Sequence, residues 1–347
     1  LLGLRAFLHF DLMRLYGDFN YANRPELANK LAIPYVTTLS KEITPQRTYR
    51  ETFGLMHKDI NEALALLTED PIYANPARPA GYYAEANRTG FYNNRQQRMN
   101  YYAVKALQAR VFLWEGGDEN TAKAAQAAGE VIARGPARLL SDPALAATDR
   151  ILSSEQLFSL NVTGFGNITG QFFNGESATN YDALLILRPT AEALFETATP
   201  EIGAADIRFN TLLASHSRGM VSVKLLQEPG NSFRNIMPLV KLPEMYYILA
   251  ESSLDTDLAK SIGYLNTVRA SRGILKEIPA NANRATVEGE LFKEYRKEYI
   301  SEGQLFFFYK RTGVTTIPGV SSQVVANDII YRLPFPDNEI EFGNRVQ

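Results

Sequence analysis

MNYYAVKALQARVFLWEGGDENTAKAAQAAGEVIARGP, residues 99–136, reads as two amphipathic arms around a Gly116-Gly117-Asp118 turn. Alanines recur at helical spacing in both arms. Small residues on facing surfaces let two antiparallel helices approach closely, and that is how tetratricopeptide-like units are built. The same grammar recurs on both sides. Upstream, LLGLRAFLHFDLMRLYG (1–17) carries Leu1, Leu4, Leu8, Leu12 and Leu15 on one helical stripe and Phe7, Phe10 and Met13 on a second. That predicts a helix packed on two sides and stopped by Gly17. A segment with three prolines follows, so no long regular element fits there. Thr48 and Glu51 then form an S/T-x-x-E capping box that opens a helix through Phe53, Met56, Ile60, Leu64 and Leu67.

Downstream, LPEMYYILAESSLDTDLAKSIGYLNTVRASRG (242–273) is a second clear helical hairpin, with Met245, Ile248 and Leu249 facing Leu258, Ile262, Leu265 and Val268. A last pair spans TVEGELFKEYRKEYISEG (286–303) and QLFFFYKR (304–311). Four consecutive aromatics, Phe306 to Tyr309, are explained by core packing, with Leu305, Phe308 and Tyr309 at i, i+3 and i+4; a ligand platform is the alternative. In the preceding helix Glu294 and Glu298 alternate with Lys293 and Lys297, which reads as a solvated, charge-paired face. Trp114, Met13, Met56 and Met245 fall in apolar stripes and are assigned to the core. EQLFSLNV and GMVSVKLL read as short strands in an otherwise helical chain, and the tail YRLPFPDNEIEFGN as extended, fixed by Pro334 and Pro336.

Composition removes several function classes. Lys plus Arg is 36 and Asp plus Glu 38, a net charge of -2, with no electrostatic footprint for nucleic acid. Cysteine is absent, so disulfide and thiolate chemistry are excluded. The three histidines, His9, His57 and His216, are far apart in sequence, and His57 reads as a surface or interface residue. GFGNITG lacks the strand-turn-helix context of a dinucleotide site, and no P-loop, H-E-x-x-H or G-x-S-x-G occurs. Nothing calls for a cofactor, and a metal at Asp118, Glu119 and Asn120 has no support beyond their composition. No apolar stretch is long enough to span a bilayer. The chain opens on Leu1, already helical in pattern, which leads us to expect a preceding segment able to carry a targeting signal or anchor.

The 19 Phe and 18 Tyr against one Trp are the compositional oddity. Many of these rings lie in polar Gly/Asn-rich stretches: Tyr82, Tyr83, Phe91 and Tyr92 with Asn87 and Arg88; Phe165, Phe172, Phe173 and Tyr181 with Asn174 and Asn180; and Phe233 beside Arg234. Flat rings suit the C–H face of a sugar, and amides and guanidinium suit its hydroxyls. The same rings serve equally to pin long loops onto a helical frame, and both readings stand.

The hairpins, in this order, resemble the SusD/RagB family of the Bacteroidetes. The stretches that carry the resemblance are LRAFLHFDLMRLYG, MHKDINEALALL, YYAVKALQARVFLWEGGDENTAKAAQAAGEVI, KLPEMYYILAESSLDTDLAKSIGYLNTVRASRG, LFKEYRKEYISEGQLFFFYKRTG and LPFPDNEIEFGN. The family's Glu-Gly-Gln-Arg-aromatic-aromatic-Asp-Leu run stands here as Glu302, Gly303, Gln304, Leu305, Phe306, Phe307, Phe308 and Tyr309, with the charged pair replaced by Leu305 and Phe308. The turn after Tyr16-Gly17 departs as well.

The resemblance implies a mainly α fold with minor β: one SusD-like domain over 1–347. Helix pairs near 1–68, 98–134, 242–272 and 286–311 would be the scaffold, and loops 70–97, 161–182 and 205–240 the ligand face. It implies a non-catalytic glycan-binding lipoprotein of the outer membrane, exposed at the cell surface and held by an N-terminal lipid anchor not present in this chain. Its partner would be a SusC-like TonB-dependent transporter that receives the oligosaccharide. The expected ligand residues are Tyr82, Tyr83, Phe91, Tyr92, Phe172, Phe173, Asn180, Tyr181, Phe233 and Arg234. A helical-repeat module that binds a protein segment, and a helical glycoside hydrolase with spatially paired carboxylates, are the rival classes.

Overall fold

Local sequence signals start and stop the helices of the computed structural model, which describes residues 1–74, 94–175, 182–227 and 233–346. Helix α1 is Leu2–Tyr16 and α2 is Tyr49–Leu67. The α2 cap is reciprocal: the Glu51 N–H donates to Thr48 Oγ1 and the Thr48 N–H donates to Glu51 Oε2. Helix α3, Tyr101–Glu115, is capped by Asn100, whose side chain accepts from the Ala103 N–H. Gly116 and Gly117, at φ +74° and +80°, turn the chain into α4, Asp118–Arg134. At Gly116 a Cβ would collide with Ala22, so both backbone sign and space demand glycine. The middle of the chain holds α5, Phe165–Phe172, and α6, Arg188–Phe195. The last helices are α7, Leu242–Ser253; α8, Leu258–Ser271; α9, Arg284–Glu298; α10, Gln304–Thr312; and α11, Asp337–Gly343.

The helices stack in the order α1, α2, α3, α4, α7, α8, α9, α10, each against the next. Residues 135–241 leave the stack between α4 and α7, although those two helices pack directly on each other. Fully buried Ala103, Ala106 and Ala109 on α3, with Ala124 and Ala128 on α4, give the close approach that their small size allows. One core runs from α1 through α4 to the start of α7, and a second lies among α7, α8, α9 and α10. Helix α10 is wedged between them. Phe307 packs on the first, while Phe308 and Tyr309 are buried in the second with Leu305 and Phe306 alongside. The aromatic run is therefore core.

Strands are few and short. β1 (Leu31–Pro34) pairs with β2 (Gln46–Thr48), and β3 (Gln156–Asn161) pairs antiparallel with β7 (Ile236–Lys241). β4 (Leu185–Ile186), β6 (Gly219–Ser222) and β5 (Leu213–His216) form a three-stranded antiparallel sheet in that order.

Besides the tail, read as extended but helical over Asp337–Gly343, three expectations fail. The leucine stripe of α1 is not a packed face: Leu8 and Leu12 are 59% and 40% exposed, while Ala6, Phe7, Phe10 and Met13 are buried. The helix is apolar almost all round, so periodicity cannot choose a side. The bulkier rings win, Phe7 edge-on to Phe158 and Phe10 edge-on to Trp114. Second, segment 161–182 is not loop throughout. Gly164 at φ +75° opens α5, whose Phe165 and Thr169, one turn apart, are both buried. Third, Glu294, Lys297 and Glu298 are not a solvated face; all three are fully buried.

Candidate ligand-binding face

The β3–β7 ribbon organises the loops. Asn161 pairs with Ile236 at one end of it, and the Val162 N–H donates to the Asn235 carbonyl at 2.7 Å. The chain passes from there into α5 on one side and into the turn at 233–235 on the other. Residues 94–99, where the chain re-enters the frame after segment 75–93, lie against the same end. Arg95, Arg98 and Met99 share a groove with Ser159, Leu160 and Asn161. Arg95 is held there by Asp70, its Nε donating to Oδ2 at 2.6 Å. The ends of all three aromatic segments thus meet at one end of the ribbon.

The expected site residues fall in two groups. Tyr82, Tyr83, Phe91, Tyr92, Asn180 and Tyr181 lie outside the described residues. Of the other four, Phe172 and Phe233 are half-buried and pack on one small cluster built from Ile151, Phe165, Phe173 and Leu225. Phe173 is buried in that cluster, and Arg234 is exposed beside it. The cluster therefore brings the second and third aromatic segments together. Leu160, Ile168, Leu184 and Leu187 are each exposed. The groove at the base, about 670 Å³, is largely apolar and takes in Leu2, Leu66 and Phe158.

Behind this face lies a set of buried charges whose extent sequence reasoning missed. Glu298 accepts from Lys241 at 2.9 Å and from Arg272 Nε at 3.0 Å, and lies 3.3 Å from Arg208 Nη1. Arg272 also grips Glu155 with two bonds of 2.7 Å, and Arg208 pairs with Asp206 and Glu294, each at 2.8 Å. Burial alone would raise the Glu298 carboxyl; the Arg272, Lys241, Lys224 and Arg208 charges outweigh it and hold the group well below the usual carboxylate range. The lattice ties β3, β7 and the turn at 206–208 to α8 and α9, so it anchors the ribbon that carries the loops. These carboxylates are saturated by cations and sealed from solvent, which is the opposite of a pair poised across a sugar bond. The only sequence sign of them was an excess of charge in a helix that needed a buried face.

Among the described residues no group of His, Asp and Glu is arranged to hold a metal ion, and no helix is long and apolar enough to cross a membrane. His57 is paired through Nε2 to Glu115 at 2.8 Å and stacks on Phe112. Trp114 is 4% exposed, in the first core.

No family profile matches the chain, and no curated protein matches it. Solved structures do. A SusD superfamily protein from Bacteroides thetaiotaomicron VPI-5482 superposes with a TM-score of 0.71 at 22% identity, over 100% of this chain and 76% of its own. A SusD-like carbohydrate binding protein from Bacteroides vulgatus ATCC 8482 gives 0.65 at 19%, over 89% of this chain and 61% of its own. A laminarin binding SusD-like protein gives 0.67 at 18%, over 98% and 75%. The chain thus spans about three fifths to three quarters of the length of these neighbours, and its fold is SusD-like.

Proposed function

We propose that this SusD-like chain is a non-catalytic glycan-binding protein of the outer-membrane surface that hands oligosaccharide to a SusC-like TonB-dependent transporter. One observation carries the ligand part of the reading: the ends of three aromatic, amide-rich segments meet at one end of the β3–β7 ribbon, on a rigid helical frame. Rigid placement lowers the entropy cost of ordering a binding surface, and sugars need rings and polar groups side by side. The ligand residues in this reading are Tyr82, Tyr83, Phe91, Tyr92, Phe172, Asn180, Tyr181, Phe233 and Arg234, with Phe173 holding Phe172 and Phe233 from beneath. Names of two neighbours, a carbohydrate binding protein and a laminarin binding protein, point the same way. Placement at the outer membrane, anchoring through an N-terminal lipid and docking on a transporter belong to the same reading.

The test is calorimetry of the purified protein against a broad panel of neutral and acidic oligosaccharides. At least one should bind, and Tyr82→Ala or Phe233→Ala should weaken it about tenfold or more, as central aromatic contacts do. Failure across the whole panel, with a peptide bound instead, would move the ligand class and favour the apolar groove beside Leu2 and Leu66 as the working surface.

A further inference from the structure

Asn235 follows Phe233 and Arg234 in the chain and holds a left-handed backbone, with φ at +62°. Most side chains avoid that region, and asparagine tolerates it better than others. Both main-chain groups of Asn235 are fixed from elsewhere. Its carbonyl accepts from the Val162 N–H at 2.7 Å, and its N–H donates to Gln227 Oε1 at 2.6 Å. The next residue, Ile236, opens β7 opposite Asn161 of β3. Asn235 is therefore the bend by which the chain leaves the candidate ligand face and enters the ribbon.

The Gln227 carboxamide is a two-sided clip. While Oε1 accepts from Asn235, Nε2 donates to the Leu225 carbonyl at 2.9 Å. Leu225 is buried in the cluster of Ile151, Phe165 and Phe173, on which Phe172 and Phe233 pack. Gln227 also stands beside α5: a Cβ added at Gly166 would lie 3.4 Å from the Gln227 Cβ. One half-buried side chain thus ties the turn at 233–235 to the cluster and to the helix that carries Phe172. A second tie, from Val162, closes the other side of the same residue.

We propose that Gln227 and Asn235 are positioning residues of the ligand face: they set the direction of Phe233 and Arg234 without touching the ligand themselves. This inference rests on the glycan-binding reading. Rotation at position 235 out of the left-handed region would swing the two preceding side chains away from Phe172. Fixing one residue's φ and ψ in the free protein removes that ordering cost from the binding step. The clip supplies the fixing, and asparagine supplies a backbone that accepts it.

Calorimetry with an oligosaccharide that the wild type binds tests this. Gln227→Ala should weaken binding about fivefold, the equivalent of one net hydrogen bond, with the loss in binding entropy. Asn235→Val should weaken it about tenfold, because a β-branched residue is an outlier in the left-handed region. Asn235→Gly keeps that conformation open and should recover most of the loss. In a Phe233→Ala, Arg234→Ala background, Gln227→Ala should change affinity little, since it acts through those two residues. Exchange of the Asn235 amide in the free protein should quicken in Gln227→Ala, a readout independent of any ligand. Unchanged affinity or unchanged exchange in Gln227→Ala, an additive loss in the double background, or equal losses in Asn235→Gly and Asn235→Val would each overturn the proposal and leave the glycan reading standing. A wild type that binds no glycan would defeat that reading first and the proposal with it.

Discussion

Helices α9 and α10 are joined by a short link, and they are built in opposite ways. Helix α10 buries Phe308 and Tyr309 against Phe292 and Tyr295, the Tyr295 and Phe308 rings stacked 4.0 Å apart. Helix α9 buries Glu294, Lys297 and Glu298 just as deeply. The first kind of burial is driven by apolar area and tolerates some repacking. The second is driven by nothing local: it stands only because cations from β7, α8 and the turn at 206–208 converge on it. Aromatic burial can be read one helix at a time, whereas ionic burial requires partners that sequence distance conceals.

That contrast predicts unequal consequences. Glu298→Ala leaves Lys241, Arg272 and Arg208 facing one another without their shared anion. Breaking a buried pair in this way costs about 3–5 kcal/mol, and here the β3–β7 ribbon should loosen along with α9. Phe308→Ala creates a cavity of similar nominal cost, about 3–5 kcal/mol, but leaves the ribbon in place. Urea unfolding should find both variants destabilised, and hydrogen exchange should find the β3 and β7 amides less protected only in Glu298→Ala. Equal protection in both would dissolve the distinction. The Glu298 contribution is present above its unfolded value near 4.5 and is lost as pH falls through its much lower folded value.

Lys310 sharpens the comparison from the other side. It is a fully buried lysine on the aromatic helix, and among the described residues its Nζ donates only to carbonyls: Arg14 at 2.6 Å, Tyr331 at 2.9 Å and Leu15 at 3.3 Å. The nearest carboxylates, Asp18 and Asp328, are engaged by Lys30, Arg332 and Arg24, and Arg14 and Arg332 oppose the charge. Burial lowers its pKa from 10.5 to about 7. The unfolded chain then holds the extra proton between those two values, so folding stability rises as pH increases from about 7, by at most about 1.4 kcal/mol per pH unit for one group. Chemical denaturation at pH 7 and pH 9 should show the rise, and Lys310→Met should flatten it; an unchanged slope in the variant would assign it elsewhere.

The same division explains what was legible. The helices of the stack were readable because their signals lie within a few residues: the cap at Thr48, the Gly116-Gly117 turn, the alanines of α3 and α4. The aromatic run of α10 was readable because four rings in a row leave it few exposed options. The face of α1 was not, since an evenly apolar helix gives periodicity nothing to choose between. Helix α5 was hidden by Gly166, Asn167 and Gly170, whose weak propensity is overridden by packing of Phe165. At the candidate site the sequence marked aromatic segments. That Phe172 and Phe233 share one cluster depends on the β3–β7 pairing, between strands some eighty positions apart.

The α2 cap is the local extreme of this comparison and should show the smallest effect. Thr48 and Glu51 satisfy each other across three residues, with no partner elsewhere in those bonds. Thr48→Ala removes the side-chain acceptor for the Glu51 N–H and should cost about 1 kcal/mol. Because the bond is confined to one turn, the loss should appear as fraying of the first turn of α2 in hydrogen exchange, with protection across β3, β7 and α9 unchanged. If protection there fell as well, the cap would be coupled to the buried charges, and the line drawn between local and distant partners would not hold.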